Sequence, residues 1–190
     1  DSVGNGAITI PTILEVNDST LFVFGRKAAY KVRVHANNSF SILWQTTLSI
    51  PGGVCKAAVQ VNDDFVLFSA AGDIIGVNSA GLQVFTKSEL FSFYSAVTLP
   101  DGIVTCGENP AHKAVVVKMT YTGDVIWSKE FADQKYNSIS TTPDGGLVVT
   151  GLSAAGNIVL LKTDAGGLQT WSKEYQTGIG LKVITTPDNG

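Results

Sequence analysis

The chain has 190 residues, of which 44% are hydrophobic and 15% charged, and its formal net charge is −3. That balance excludes nucleic acid as the natural partner, because a protein that neutralises phosphates needs a basic face. No apolar run approaches the ~18 residues that mark a membrane span. The apolar fraction is ample for one buried core, so residues 1–190 read as a single domain.

Taken in chain order, the sequence repeats itself about every 43 residues, in units at about 7–54, 55–94, 95–136 and 137–180, with a fifth beginning at 181–190. The first unit is the least regular: Trp44 holds an aromatic place, and Phe40 stands where later units carry glycine. Its two sequons, Asn17-Asp18-Ser19 and Asn37-Asn38-Ser39, fall in predicted turns and would accept glycans if a eukaryote secreted the protein. The second unit opens on small residues, Ala57-Ala58-Val59, turns near Asp63, and ends in Gly81-Leu82-Gln83-Val84-Phe85. The third turns at Pro100-Asp101-Gly102, runs through Val115-Val116-Val117, and reaches Trp127-Ser128-Lys129-Glu130 four residues after Gly123.

The fourth unit is the clearest. Its spacing predicts strands over 137–142, 147–152, 157–163 and 168–175, separated by Pro143-Asp144-Gly145-Gly146, Ser153–Gly156 and Asp164-Ala165-Gly166-Gly167. Trp171-Ser172-Lys173-Glu174 then copies the third unit's tetrapeptide, again four residues after a glycine, Gly167. Proline presets a turn and glycine supplies positive φ, so these punctuators mark hairpins between Val, Ile and Leu runs. Continuous apolar runs such as Ile158-Val159-Leu160-Leu161 suit strands covered on both faces. A repeat of this length with strand-like content predicts an all-β β-propeller of four-stranded antiparallel blades, four of them plus the first strand of a fifth. That count implies part of a larger ring, or one completed between chains, since open blades leave exposed strand edges.

The segment Lys162-Thr163-Asp164-Ala165-Gly166-Gly167-Leu168-Gln169-Thr170-Trp171-Ser172-Lys173 resembles the PQQ-like, quinoprotein-type propeller repeat and the Asp-Gly-Gly-rich repeats of secreted propellers. The resemblance implies a six- to eight-bladed ring in which each outer-strand aromatic packs on the neighbouring blade. On that reading Trp44, Phe85, Trp127 and Trp171, with Gly81, Gly123 and Gly167, are structural anchors of the repeat. Relatives of this kind include cofactor-dependent dehydrogenases, assembly-factor lipoproteins and surface proteins. The dehydrogenase branch's Ala-x-Asp-x-x-Thr-Gly-Lys-x-x-Trp pattern is not carried in full by any unit, and no cofactor is expected.

Candidate chemistry is thin. His35 and His112 lie 77 residues apart with no clustered ligands beside them, so they read as surface histidines and no metal is expected. Asp101, Asp144 and Asp188 share a Pro-Asp setting that makes them turn residues before calcium ligands. No Gly-x-Ser-x-Gly elbow appears. Cys55 and Cys106 sit in neighbouring units and read as buried free thiols, with a bridge left open. These features together favour a non-enzymatic binding or structural module, extracellular or at a cell or particle surface, acting through a protein partner or self-assembly. A carbohydrate-binding propeller and a quinoprotein or glycan-active enzyme with an axial site remain the alternatives.

Overall fold

A computed structural model describes residues 12–17, 19–25, 28–51 and 54–186. The expected turn at Asp188, the start of the first unit and the end of the fifth lie outside these residues. Sixteen strands and no helix are assigned among the described residues. They form four antiparallel four-stranded sheets, each a simple meander: β1–β4 (Thr12–Asn17, Thr20–Phe24, Ala28–Val34, Phe40–Thr47), β5–β8 (Cys55–Val61, Asp64–Ser69, Asp73–Val77, Gln83–Ser88), β9–β12 (Ser92–Leu99, Gly102–Glu108, Ala114–Met119, Val125–Glu130) and β13–β16 (Lys135–Thr141, Leu147–Leu152, Asn157–Thr163, Gln169–Thr177). We call these sheets blades 1 to 4. Among the described residues they make an open arc, not a closed ring.

Blades 2 and 3 stand between neighbours on apolar residues of both faces, and blades 1 and 4 each pack on one neighbour. Phe22 and Phe24 of blade 1 meet Phe65, Leu67, Ile75 and Val77 of blade 2, with Phe22 and Phe65 stacked at 3.9 Å. Val66, Phe68 and Ile74 on the other face of blade 2 meet Ile103, Val117 and Met119 of blade 3. Val104, Cys106 and Val116 of blade 3 then meet Leu147, Val149 and Leu161 of blade 4. Adjacent strand residues thus go to different seams, which is why the middle strands read as unbroken hydrophobic runs.

The turns follow a common chemistry. Between the third and fourth strands of blades 2 and 4, a side chain at the first turn position accepts from the backbone: Asn78 Oδ1 from the N–H of Ala80 and Leu82, Asp164 Oδ1 from those of Gly166 and Leu168. The fourth position is left-handed and is filled by Gly81, Gly123 and Gly167, at φ +85°, +82° and +78°. In blade 1 the left-handed residue is Asn38, at φ 61°, whose N–H donates to His35 as that of Gly81 does to Asn78. The sequence expectation that Phe40 replaces the glycine is therefore corrected. The β3–β4 hairpin runs two residues further beyond the Lys31–Trp44 pair than the matching hairpins do beyond theirs, and this hides the equivalence. Similarly, His112 at φ 56° stands where Gly72 and Gly156 turn blades 2 and 4.

The innermost strands β5, β9 and β13 each carry a bulge, at Lys56, Tyr94 and Asn137. Bulges increase local twist and re-aim side chains. Here they place those three residues around the hub of the arc.

Candidate functional site

The four repeat aromatics occupy different surroundings. Trp44 packs edge-on to Phe22 at 5.4 Å, and its indole N–H donates to the Ser79 carbonyl of the next blade at 2.9 Å. Its ring lies against Gly81, where an added Cβ would sit 2.8 Å from it. Trp127 lies the same way against Gly167 of blade 4, where a Cβ would come within 2.6 Å. Phe85, the smaller ring, folds onto Gly76 of its own blade, and Gly123 instead meets Ile74. Trp171 is 38% exposed. Asn17 and Asn37 are both exposed at hairpin ends, their Oδ1 atoms accepting from Ser19 and Ser39.

Beside each of the last two tryptophans stands a lysine, Lys118 opposite Trp127 and Lys162 opposite Trp171. Lys118 donates to Asp101 at 2.6 Å and Lys162 to Asp144, so the two Pro-Asp turns each accept a strand lysine. The ammonium groups hold both carboxyls below the ordinary carboxylate range. His35 bonds Ser41 at 3.0 Å and exposed His112 lies 3.8 Å from Glu108; the two histidines are not brought together. Both cysteines are buried and unbridged, and burial pushes the Cys55 thiol up to about 12. Among the described residues no three His, Cys, Asp or Glu side chains converge as metal ligands.

Two of the concave surfaces concern blade 4 and the hub. The larger, about 560 Å³, lies on the outer face of blade 4 and is lined by Val148, Leu160, Lys162 and Trp171, with Val183 and Ile184 along its inner rim. Residues 180–185 hold that rim through side chains of β13. The Val183 N–H donates to Ser138 Oγ at 3.1 Å and Asn137 Nδ2 donates to the Gly180 carbonyl at 2.9 Å. One blade earlier the Ile139 N–H donates to Ser95 Oγ at 3.3 Å, so residues 181–186 stand to β13 as β13 stands to β9. The smaller surface, about 380 Å³, opens at the hub and is lined by residues of all four first strands with Leu181 and Lys182. Lys56, Tyr94, Asn137 and Lys182 are its polar groups apart from two serines. Tyr94 donates to Glu108 at 2.8 Å, and burial with that carboxylate pushes the phenol up to about 12. Among the described residues the lining holds no Asp, Glu or His.

No protein-family model matches the chain, and no curated protein matches its sequence. Solved structures do. BamB from Moraxella catarrhalis is similar at a TM-score of 0.67 and 17% identity, over 98% of this chain and 56% of that one. Sqt1 from Saccharomyces cerevisiae gives 0.64 and 13%, over 84% and 48%. A europium-containing methanol dehydrogenase gives 0.65 and 10%, over 90% and 44%. At such identities the likeness is one of fold. The chain is built as a β-propeller, and the PQQ-like resemblance of its repeats holds at that level. It spans about half the length of these structures. A dehydrogenase stands among them, so the fold does not by itself separate enzyme from non-enzyme.

Proposed function

We propose that this chain is a non-enzymatic propeller module that works through protein–protein contacts at a cell or particle surface. The observation that carries the reading is a pair of uncovered apolar faces at the two ends of the arc. On blade 4, Trp171 and Ile184 are 38% and 70% exposed. On blade 1, the face turned away from blade 2 carries Leu21, Val32, Ile42 and Phe40, the last two 51% and 70% exposed. The matching face of blade 2, Phe65, Leu67, Ile75 and Val77, is wholly covered. Apolar patches of this kind mark contact surfaces, and polypeptide of complementary shape is what covers them elsewhere in this molecule.

A photo-reactive residue at Leu160 or Ile42, introduced in the native host, tests this. Adducts to one defined polypeptide, lost when Ile184 or Phe40 is changed to lysine, support the reading. A native particle with both faces fully exchangeable with solvent, together with turnover of any sugar or alcohol, would overturn it. If the protein is made by a eukaryotic secretory route, Asn17 and Asn37 are the residues that carry glycan, and Asn37→Gln removes one glycan's mass.

A further inference from the structure

Three of the four described blades carry one cross-strand pair on their third and fourth strands. Lys31 stands opposite Trp44, Lys118 opposite Trp127 and Lys162 opposite Trp171. In blade 3 the pair makes a filled seat for blade 4. The indole receives Gly167, and the lysine donates to Asp101 with 11% of its side chain exposed. Blade 2 departs from this pattern. Its pair is Gly76 opposite Phe85, and the ring lies over the glycine, where a Cβ would come within 2.1 Å of it. An alkylammonium arm is missing there, and a benzene ring stands where the other blades carry an indole.

A hollow of about 300 Å³ lies at this pair, between blade 2 and a turn of blade 3, walled by Val66, Gly76, Val84, Phe85 and Tyr121. The groove on blade 4 has no described blade over it, but this hollow persists with its neighbour in place. Gly123 of the covering turn already meets Ile74, and Lys87 of β8 is ion-paired with Asp124 of the same turn. The acidic half of the arrangement is still there. Val61 pairs with Asp64 across the β5–β6 turn as Leu99 pairs with Gly102 in blade 3, so Asp63 stands where Asp101 stands. Among the described residues no cationic side chain pairs with Asp63 or Asp64. Asp64 lines the hollow, and its Oδ1 accepts the Ser79 N–H at 2.9 Å. Tyr121 donates its hydroxyl to the Leu99 carbonyl at 2.6 Å, which leaves its ring as the wall.

We propose that this seam hollow binds a small aralkylammonium. The ring of that molecule fills the space beside Phe85 and Tyr121, and its ammonium takes the place of the missing lysine before Asp63 and Asp64. A recess with mostly apolar walls and a few polar groups at one end suits such a ligand. The charge of the ammonium is what the two carboxylates select, since an unpaired anion gains most from a donor that is itself charged. The site lies away from the two end faces of the arc and stands independently of the protein-contact reading.

Tryptamine is the probe, with 3-ethylindole as its neutral isostere and indole-3-propionate as an anion of similar shape. Each is titrated into the whole chain at low salt, and amide shifts are followed by NMR. Tryptamine should give saturable shifts at Gly76 and Tyr121, with an affinity about tenfold above that of 3-ethylindole. Indole-3-propionate should give none. Asp63→Asn combined with Asp64→Asn should lower tryptamine to the affinity of the neutral isostere. Gly76→Lys combined with Phe85→Trp rebuilds the pair of blades 3 and 4, and should abolish binding of both compounds. The proposal is overturned by an absence of saturable shifts, by equal affinity for amine and isostere, or by an amine preference that survives the two asparagines. Binding that survives the refilled pair, or shifts that map to the hub or to blade 4, would overturn it as well. The asparagine variant alters exposed turn residues alone, so it decides the matter even where the refilled chain does not fold.

Discussion

Blades 3 and 4 carry the same tetrapeptide, the same lysine beneath it and the same aspartate turn, yet they differ in what lies over them. Lys118 keeps 11% of its side chain exposed and Lys162 keeps 24%; Val116 is buried and its counterpart Leu160 is half-covered. The difference teaches that the repeat sequence encodes a seat, not a buried residue. Coverage is supplied by the next blade, and a tryptophan without one remains a surface aromatic.

Several experiments sharpen or break that contrast. The largest effect belongs to the glycine at the filled seat. Gly167→Val combines a Cβ 2.6 Å from Trp127 with φ +78°, and should cost about 3 kcal/mol or more in urea unfolding. Gly145→Ala, at φ +80° with nothing within 4 Å, isolates the backbone part and should cost about 1 kcal/mol. If both substitutions cost the same, the seat is not what Gly167 provides.

Next comes removal of the aromatic itself. Trp127→Ala should lose about 2–3 kcal/mol of stability because it opens the seam between blades 3 and 4. Trp171→Ala should lose less than about 1 kcal/mol in the same chain. Equal losses would mean that the two blades are covered alike in solution.

A smaller effect is read in alkali. The Cys55 thiol and the Tyr94 phenol are both pushed up to about 12 by burial, and Cys106 is raised as well. Their unfolded counterparts ionise near pH 8.5 and 10, so the stability these groups contribute is intact below about pH 8.5. It is lost as pH rises toward about 12, where the folded groups also ionise. Urea midpoints measured from pH 8 upward should fall, and a Cys55→Ala, Cys106→Ala chain should fall less steeply. Ellman's reagent should find neither thiol until urea unfolds the chain.

The smallest effect is at acid pH. Asp101 and Asp144 are held low by Lys118 and Lys162, so the stability they contribute is present above about pH 4. It is lost as pH falls through their depressed folded values. Both carboxylates face water, and 1 M salt should erase most of the difference between Asp144→Asn and the parent chain.

The sheets themselves were open to sequence reading because the hairpin chemistry is local. Pro143-Asp144-Gly145-Gly146 and Asp164–Gly167 mark turns by their own residues, and the strands found in blade 4 begin or end within two residues of those expected. Blade 1 was harder. Asn38 adopts the left-handed turn without being glycine, and a hairpin two residues longer on each strand sets Trp44 two places further from it, so spacing points to Phe40. The candidate surfaces were less legible still. Trp127 and Trp171 are indistinguishable in sequence, because what separates them is a neighbour and not a neighbouring residue. Lys56, Tyr94 and Asn137 share no residue type, and only the three-dimensional superposition of bulges gathers them at the hub.

Those bulges decouple two jobs within one strand. A residue inserted opposite no partner has paired residues on either side of it, so the ladder does not call for one residue type at that point. Lysine, tyrosine and asparagine have each been accepted at that point without disturbing the Phe93, Tyr136 or Cys55 that precedes them. The centre of the molecule can therefore change its chemistry one position at a time, while the architecture around it stays constant.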